Sequence, residues 1–203
     1  MAHTVIALYD HFNQVPHVIE TLSKAGYSGP SISVIANDAA GEYARYALRQ
    51  DVTHSGNFAA GEGAGFNGIV GALIGLAAAL IPGVGPVLAA GPLAAALTGG
   101  IVGVINGAAT RGIVSALVDL SLPAEDAGCF AEGVRRGGTL LIVHAPNELA
   151  AQQALEIMEQ FEPVDIDARV EQWRAAGWAG FDATAWPYTA EQIEQERRSY
   201  SSG

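Results

Sequence analysis

The fold prediction starts from two segments, Thr4-Val-Ile-Ala-Leu8 and Thr139-Leu-Leu-Ile-Val143. Both are continuous runs of apolar residues rich in β-branched side chains, which are typical of buried strands. Each segment is followed by a polar turn and then by a helix-forming segment of similar length. Because strand, helix and strand recur in the same order, the sequence predicts two β-α-β halves of one sheet.

The first half continues with an amphipathic helix that carries Pro16 in its first turn, where the missing N–H costs little. The strand Ser31-Ile-Ser-Val-Ile35 follows this helix. In the second half, a helix ending at Arg136 precedes the strand, and a second helix runs from Asn147 to Gln160. A short strand, Val164-Asp-Ile166, is expected to complete the second half.

These elements divide the chain of 203 residues into three parts. We predict an α+β fold in which residues 1–36 and 121–168 form the two halves of a ferredoxin-like βαβ-βαβ sheet. Residues 37–120 are an insertion between its second and third strands, and they begin with an amphipathic segment. Residues 169–203 form a C-terminal aromatic arm with a final helix.

The insertion contains no charged residue between Glu62 and Arg111, a run of 48 positions. Its apolar segments at about 66–81 and 93–109 are expected to form two helical limbs. The intervening sequence is rich in Pro and Gly, which interrupt helices. The sequence therefore predicts a long Gly/Ala-rich helical hairpin with an apolar tip.

Small residues recur every four positions in both limbs, which places them on one face of each predicted helix. Small side chains allow two helix backbones to approach closely. Inside a helix each glycine costs about 0.8–1.0 kcal/mol relative to alanine, so close packing is needed to offset this cost. The predicted association residues are Gly71, Gly75, Ala79, Gly83, Gly91, Ala95, Gly99, Gly103 and Gly107.

Three environments for the limbs are compatible with the sequence. Hairpins from several copies of the chain could bundle in a homo-oligomer and shield one another from water. The hairpin could instead enter a bilayer, in a shallow or re-entrant manner, because sixteen residues rise only about 24 Å against a hydrocarbon core of about 30 Å. The third environment is the surface of the same chain. Self-association is the favoured prediction, and membrane lipid is the alternative partner.

All three tryptophans lie in the C-terminal arm. The segment Thr189-Ala-Glu-Gln192 has the pattern of a capping box and predicts that a last helix begins there. The aromatic residues are expected to anchor the arm on its own domain, on a neighbouring subunit or at a membrane interface. The predicted anchors are Trp173, Trp178, Phe181, Trp186 and Tyr188.

Composition excludes several function classes. The net charge of −11 argues against nucleic acid as a partner, since no basic surface is available to replace counterions. The single cysteine, Cys129, excludes an internal disulfide and a multi-cysteine zinc site, and it is expected to be a buried, inert thiol. No HExxH, GxSxG, P-loop or CxxC motif occurs. We therefore predict no enzyme, no cofactor, and no catalytic, cofactor-binding or metal-binding residue.

His11 and His144 each follow the first strand of a half, so these positions suggest that the two histidines share a site. In a ferredoxin-like sheet these two strands are antiparallel neighbours, which places the two histidines at opposite edges. The N-terminal sequence lacks the basic region and the long apolar run of a signal peptide. Together with the single thiol, this predicts a cytoplasmic location. The inner face of the membrane is the alternative.

Five short motifs occur together in this chain. They are Thr4-Val-Ile-Ala-Leu-Tyr-Asp10, Gly26-Tyr27, Ile81-Pro-Gly-Val-Gly-Pro86, Glu132-Gly-Val-Arg-Arg-Gly-Gly138 and the Trp-x4-Trp-x2-Phe-Asp pattern of the arm. In combination they resemble bacterial proteins related to the heat-induced or general-stress protein domain. The resemblance implies a stress-associated role without a known ligand.

The favoured prediction is therefore a non-enzymatic, stress-associated protein that self-assembles through a glycine-striped hairpin. The alternatives are a membrane-associated protein that inserts this hairpin into a bilayer, and a ferredoxin-like module that binds a small molecule or a metal on an open face of its sheet.

Overall fold

The computed structural model describes residues 3–43, 45, 77–81, 83–98 and 112–200. The strands in these ranges are β1 (His3–Tyr9), β2 (Ile32–Asn37), β3 (Ala77–Ile81), β4 (Gly85–Ala90) and β5 (Thr139–Ala145). They form one antiparallel sheet in the order β1-β5-β2-β4-β3. Helices accompany the sheet, so the predicted α+β class is confirmed.

The helices of the same ranges are α1 (Val15–Lys24), α2 (Pro92–Thr98), α3 (Ile113–Asp119), α4 (Ala124–Arg135), α5 (Glu148–Glu159), α6 (Ile166–Ala175) and α7 (Ala190–Tyr200). Of these, α1, α2, α4, α5 and α7 lie where the sequence predicts helices. Residues 42, 43 and 45 are also helical. The rest of the predicted amphipathic segment lies outside the described residues.

β5 is the central strand, because it pairs with β1 on one side and with β2 on the other, antiparallel in both cases. β1 and β2 therefore run parallel to each other. Residues 139–143 of β5 are at most 1% exposed. A strand that is buried on both faces needs apolar residues at successive positions rather than alternating ones, which explains the continuous apolar run in the sequence.

Helices cover both faces of the sheet over β1, β5 and β2. One face buries Leu8, Leu140 and Ile142 together with residues of α2, α3 and α4. The opposite face buries Leu141 and Val143 together with residues of α1 and α5. The alternative prediction, a small-molecule or metal-binding module, requires an open face of the sheet. Over these three strands neither face is open.

The predicted helical limb is wrong at residues 77–81, which form β3. β3 pairs with β4, and β4 extends the sheet beyond β2. The Val84 N–H donates to the Ile81 carbonyl, 3.1 Å away, within the turn that joins the two strands. The helix propensity of the alanine-rich sequence is only a weak preference, which pairing with the sheet outweighs. Within the second limb, α2 is helical as predicted, and residues 66–76 and 99–109 lie outside the described residues.

The short strand predicted at residues 164–166 is also wrong. The Val164 N–H donates one hydrogen bond to the Leu8 carbonyl of β1, at 2.8 Å. The Asp165 carboxylate then accepts the Ala168 N–H and caps α6. A carboxylate in this position satisfies an N–H group that the first helical turn leaves unpaired. The chain therefore enters a helix after a single strand-like contact.

Gly91 lies between β4 and α2, where the backbone passes close to β2. Its φ is +80°, and a Cβ at this position would overlap the Ile32 carbonyl oxygen. Two residues later, the Leu93 N–H donates to the Ser33 hydroxyl at 3.2 Å. The small residue at position 91 is thus needed by the contact between α2 and the sheet.

We predict that Gly91→Ala lowers the free energy of unfolding by about 3 kcal/mol, because it adds both a left-handed backbone strain and a backbone overlap. The matched control is Gly112→Ala, since Gly112 has φ of −59° and a Cβ added there would meet no atom within 4 Å. Urea unfolding followed by circular dichroism measures both variants. Equal stability of the two would contradict the assigned role of Gly91.

Candidate functional site

The described residues include four of the nine predicted association positions, and these four do not share one helix face. Ala79 is in β3, Gly83 is in the turn before β4, Gly91 precedes α2 and Ala95 is in α2. Gly71, Gly75, Gly99, Gly103 and Gly107 lie outside the described residues. The four-residue spacing from Ala79 to Gly91 therefore does not form a helical stripe.

Gly83 contacts the C-terminal arm. Its φ is +74°, and a Cβ there would lie 2.7 Å from the Ala183 Cα and 2.8 Å from the Asp182 carbonyl oxygen. Such distances are shorter than van der Waals contact, so a larger residue would displace either the turn or the arm. Gly83 thus allows a close approach between the β3–β4 turn and the arm.

The arm packs on its own chain through most of its predicted anchors. Trp173 is 2% exposed, and its indole N–H donates to the Tyr200 hydroxyl at 2.9 Å. Trp178, Phe181 and Tyr188 are partly buried. Trp186 is 90% exposed, so its side chain does not anchor the arm in this structure.

Glu132 is the buried charge to which the arm is connected. It is 0% exposed, and it accepts hydrogen bonds from Arg136 at 2.7 Å and from Arg135 at 3.2 Å. Arg136 also forms an ion pair with Glu196 of α7, with 2.6 Å between a guanidinium nitrogen and a carboxylate oxygen. Two arginines satisfy the carboxylate, so the desolvation cost of burying it is offset.

The guanidinium of Arg136 lies against two aromatic rings of the arm. Its central carbon is 4.8 Å from the centre of the Trp173 ring and 5.3 Å from that of Tyr188. Burial acts to lower the pKa of Arg136, but the hydrogen bond and charge of Glu132, with the charge of Glu196, outweigh it and raise the pKa. Arg136 therefore stays charged and joins α4 to the arm.

Two more arginines connect the arm to the domain. Arg169 forms two hydrogen bonds with the Asp10 carboxylate, at 2.9 and 3.0 Å, and its guanidinium stacks on the Tyr200 ring at 3.4 Å. Arg197 pairs with Glu42 at 2.6 Å. Paired guanidinium and carboxylate groups favour bidentate geometry, which orients the arm as well as attaching it.

A polar cavity of about 510 Å³ lies beside the pair of Arg197 and Glu42, and His11, Arg45 and Arg198 also line it. Glu42 additionally accepts the Phe12 N–H at 3.0 Å. His11 Nδ1 is 3.3 Å from the same carboxylate. Because Glu42 is shared among these donors, the groups at this cavity support the attachment of α7.

A second cavity, of about 580 Å³, lies between α3, α4 and the segment of the arm that follows α6. We call it the Cys129 cavity. Its wall is mainly apolar and includes Val114, Cys129, Trp178 and Phe181. Arg174 and Glu125 form an exposed ion pair at its rim, with a distance of 3.3 Å.

Cys129 is partly exposed rather than buried. Burial nevertheless raises the pKa of its thiol, and the negative charges of Asp126, Glu125 and Asp167 add to this, while Arg174 acts in the opposite direction. The protonated thiol is a poor nucleophile. The prediction of a buried thiol is therefore wrong, and its inertness stays a prediction.

His11 and His144 do not converge. β1 and β5 are antiparallel, and His144 lies opposite Thr4, whereas His11 follows the other end of β1. This agrees with the expected separation. Within the described ranges, no group of three or more His, Cys, Asp or Glu side chains is arranged to hold a metal ion.

Sequence reasoning missed the Cys129 cavity and the connections between the arm and α4. A signal for the connections between the arm and α4 was present, because Arg135 and Arg136 are adjacent in a chain with few basic residues. The cavity has no comparable signal. Its walls come from three separate segments, and the Trp-x4-Trp-x2-Phe-Asp pattern of the arm does not by itself indicate a cavity.

We predict that Arg136→Met lowers the free energy of unfolding by about 3 kcal/mol, because Glu132 loses one of its two charged partners in a buried position. Arg174→Met is the control, since the pair of Arg174 with Glu125 is exposed and is expected to contribute about 0–1 kcal/mol. Urea denaturation measures the difference. Similar losses for both variants would contradict the role given to Glu132.

A second prediction concerns acid sensitivity. Burial lowers the pKa of His144 below 6.5, so the folded state binds fewer protons at this group than the unfolded state. His144 therefore does not reduce the free energy of unfolding above pH 6.5, and it lowers this free energy progressively as the pH falls from 6.5 towards the lowered pKa. His144→Gln should therefore lose less thermal stability than the parent chain between pH 7 and pH 5. His17→Gln, at an exposed position, is the control, and an identical pH profile for His144→Gln and the parent chain would refute the assignment.

Comparison with known proteins yields no match: no protein-family model, no curated protein and no solved structure is significantly similar to this chain. The resemblance to the general-stress protein domain therefore stays a prediction.

Proposed function

We propose that this protein is a non-enzymatic, stress-associated protein that assembles with copies of itself through the apolar sequence of its insertion. One observation carries the proposal. In the described part of the chain, helices already cover both faces of the sheet over β1, β5 and β2, while the insertion contributes further long apolar stretches without charge. Those stretches are the best candidates for contacts outside the subunit.

The number of large apolar side chains in these stretches supports their burial in an interface between copies of the chain. Large apolar side chains within 66–76 and 99–109 are Phe66, Ile69, Val70, Leu73, Ile74, Leu76, Ile101, Val102, Val104 and Ile105. Burying each such side chain contributes about 1.5–3 kcal/mol. Ten of them can therefore contribute more than the cost of the translational and rotational freedom lost on association, which is of order 4–15 kcal/mol.

The order of the three central strands supports the more specific fold proposal. β1 and β2 are parallel and flank β5, as the first three strands of a ferredoxin-like sheet would do. In this proposal the β3–β4 hairpin is an addition at the edge of β2. The single hydrogen bond from Val164 to Leu8 corresponds to the position of the fourth strand.

A membrane is the alternative partner for the same apolar stretches. None of the helices in the described ranges has the length and apolar character needed to cross a bilayer. The proposed homo-oligomer is cytoplasmic, and the lipid alternative would place it at the inner face of the membrane. The two partners are separated by whether detergent-free buffer yields one assembled species.

The test is the native mass in detergent-free buffer, measured by light scattering after size exclusion. We predict one species several times the mass of the chain. Gly103→Leu should reduce this mass towards that of a monomer, because a large side chain prevents close backbone approach. Gly103→Ala is the matched control and should keep the parent mass.

The proposal fails if the parent chain is a monomer, or if Gly103→Leu keeps the assembled mass. Recovery of the parent chain only in the membrane fraction would instead favour lipid as the partner. Circular dichroism of Gly103→Leu tests whether the sheet and the arm remain folded in this variant.

A further inference from the structure

The last helix, α7, is held on the domain by fewer buried apolar side chains than α1 or α5. Its single buried side chain is Ile193, which lies against Gly137 in the turn between α4 and β5. By comparison, α1 buries five apolar residues, and α5 buries Ala154, Ile157 and Met158. Because apolar burial is the dominant favourable term in packing, α7 depends on its polar contacts more than α1 and α5 do.

Glu196 makes the first of these polar contacts. Its carboxylate accepts hydrogen bonds from Arg136 at 2.6 Å and from the Tyr200 hydroxyl at 2.7 Å. The side chains of Arg136 and Glu196 are 11% and 22% exposed. Since this ion pair is in contact with solvent, dissolved salt weakens it, although less than it weakens a fully exposed pair.

Arg197 makes the second polar contact between α7 and the domain. It pairs with Glu42 at 2.6 Å, and it donates a hydrogen bond to the Gly137 carbonyl at 2.7 Å. Glu42 belongs to the segment that follows β2. The two ion pairs of α7 therefore connect it to two different parts of the domain, and salt acts on both.

Tyr200, the last residue of α7, lies over Trp173. The Tyr200 hydroxyl accepts the Trp173 indole N–H at 2.9 Å, and its ring centre is 3.4 Å from the guanidinium carbon of Arg169. Trp173 is only 2% exposed while α7 is in place. Removal of α7 would therefore open part of the Trp173 ring and its N–H to solvent.

The helix α7 is too short to persist without these contacts. It has 11 residues, and isolated helices shorter than about 12–15 residues are marginal in water. A capping box in which Thr189 and Gln192 exchange hydrogen bonds stabilises its first turn. This cap does not replace the lost packing, so we expect α7 to detach and unfold in one step.

From these contacts we propose that α7 is a salt-sensitive strap. At high ionic strength it detaches and unfolds while the sheet and the helices α1 and α5 stay folded, and Trp173 is uncovered. Elements with few buried apolar contacts open at a lower free energy than the core of the same domain. This conformational device is separate from the proposed self-association, which uses the apolar insertion.

Amide hydrogen exchange, followed by mass spectrometry on the full chain, tests the strap. The screening length falls to roughly 3 Å at about 1 M salt. From low salt to this concentration of sodium chloride, we expect exchange of the α7 amides to accelerate at least fivefold. Exchange of the α5 amides should change less than twofold, because apolar side chains hold this helix.

Three outcomes of this measurement would overturn the proposal. One is that α7 shows no response to salt, and another is that α5 responds as strongly as α7. The third is that the amides of β5 accelerate together with those of α7, since the whole domain would then open. None of these outcomes bears on the native mass of the chain, so the proposed self-association is tested separately.

Two substitutions with the same change of charge locate the effect on α7. Glu196→Gln removes the partner of Arg136 and should accelerate exchange of the α7 amides at least fivefold at low salt. Glu194→Gln changes an exposed residue of the same helix and should stay within twofold of the parent chain. Equal exchange by the two variants would contradict the role given to the Glu196 ion pair.

Tryptophan fluorescence tests whether the released strap uncovers Trp173. Quenching by acrylamide, which is uncharged, should become at least twofold more efficient at high salt in the parent chain. This increase should persist in Trp186→Phe, because Trp186 is already 90% exposed, and it should be lost in Trp173→Phe. An increase that persists in Trp173→Phe would show that salt uncovers a different tryptophan and would refute this part of the proposal.

Discussion

Exclusion of water from both faces of β5 organises the described structure. Its residues 139–143 are at most 1% exposed, so one helical layer has to cover each face. One layer consists of α1, which follows β1, and α5, which follows β5. The other layer combines α4 with α2 and α3, which the insertion supplies. The insertion is therefore partly structural: it completes the core and extends the sheet by β3 and β4.

The arm adds a second kind of interaction to this core. Few charges are available in a chain in which 15% of residues are charged, and several arginines are used to attach the arm. Arg136, Arg169 and Arg197 each bridge the arm and the domain through a carboxylate. Because Glu132 is fully buried at the centre, removal of one partner leaves an uncompensated charge and is costly. Attachment of the arm in turn creates the wall of the Cys129 cavity.

The uncharged apolar stretches of the insertion are proposed to join copies of the chain. Gly83 and Gly91 take no part in this association. Each allows a close backbone approach within the fold, so the spacing of small residues at positions 79–91 reflects the sheet and not helix association.

The sequence by itself determined the α+β class, the three central strands and most helices, because continuous apolar runs and helical periodicity are local signals that burial preserves. It also indicated that His11 and His144 lie at opposite edges. It failed at β3, β4 and residues 164–166, where alanine-rich or short segments have weak local preferences. β4 pairs with the edge of β2 that β5 leaves free, and β3 pairs with β4. Asp165 caps α6, so the chain forms a helix from residue 166 instead of a strand. Only the tertiary structure decided which charged groups meet across the arm and which side chains enclose the Cys129 cavity. Arg136 and Glu196, for example, are 60 positions apart, and no local pattern encodes a contact over such a separation.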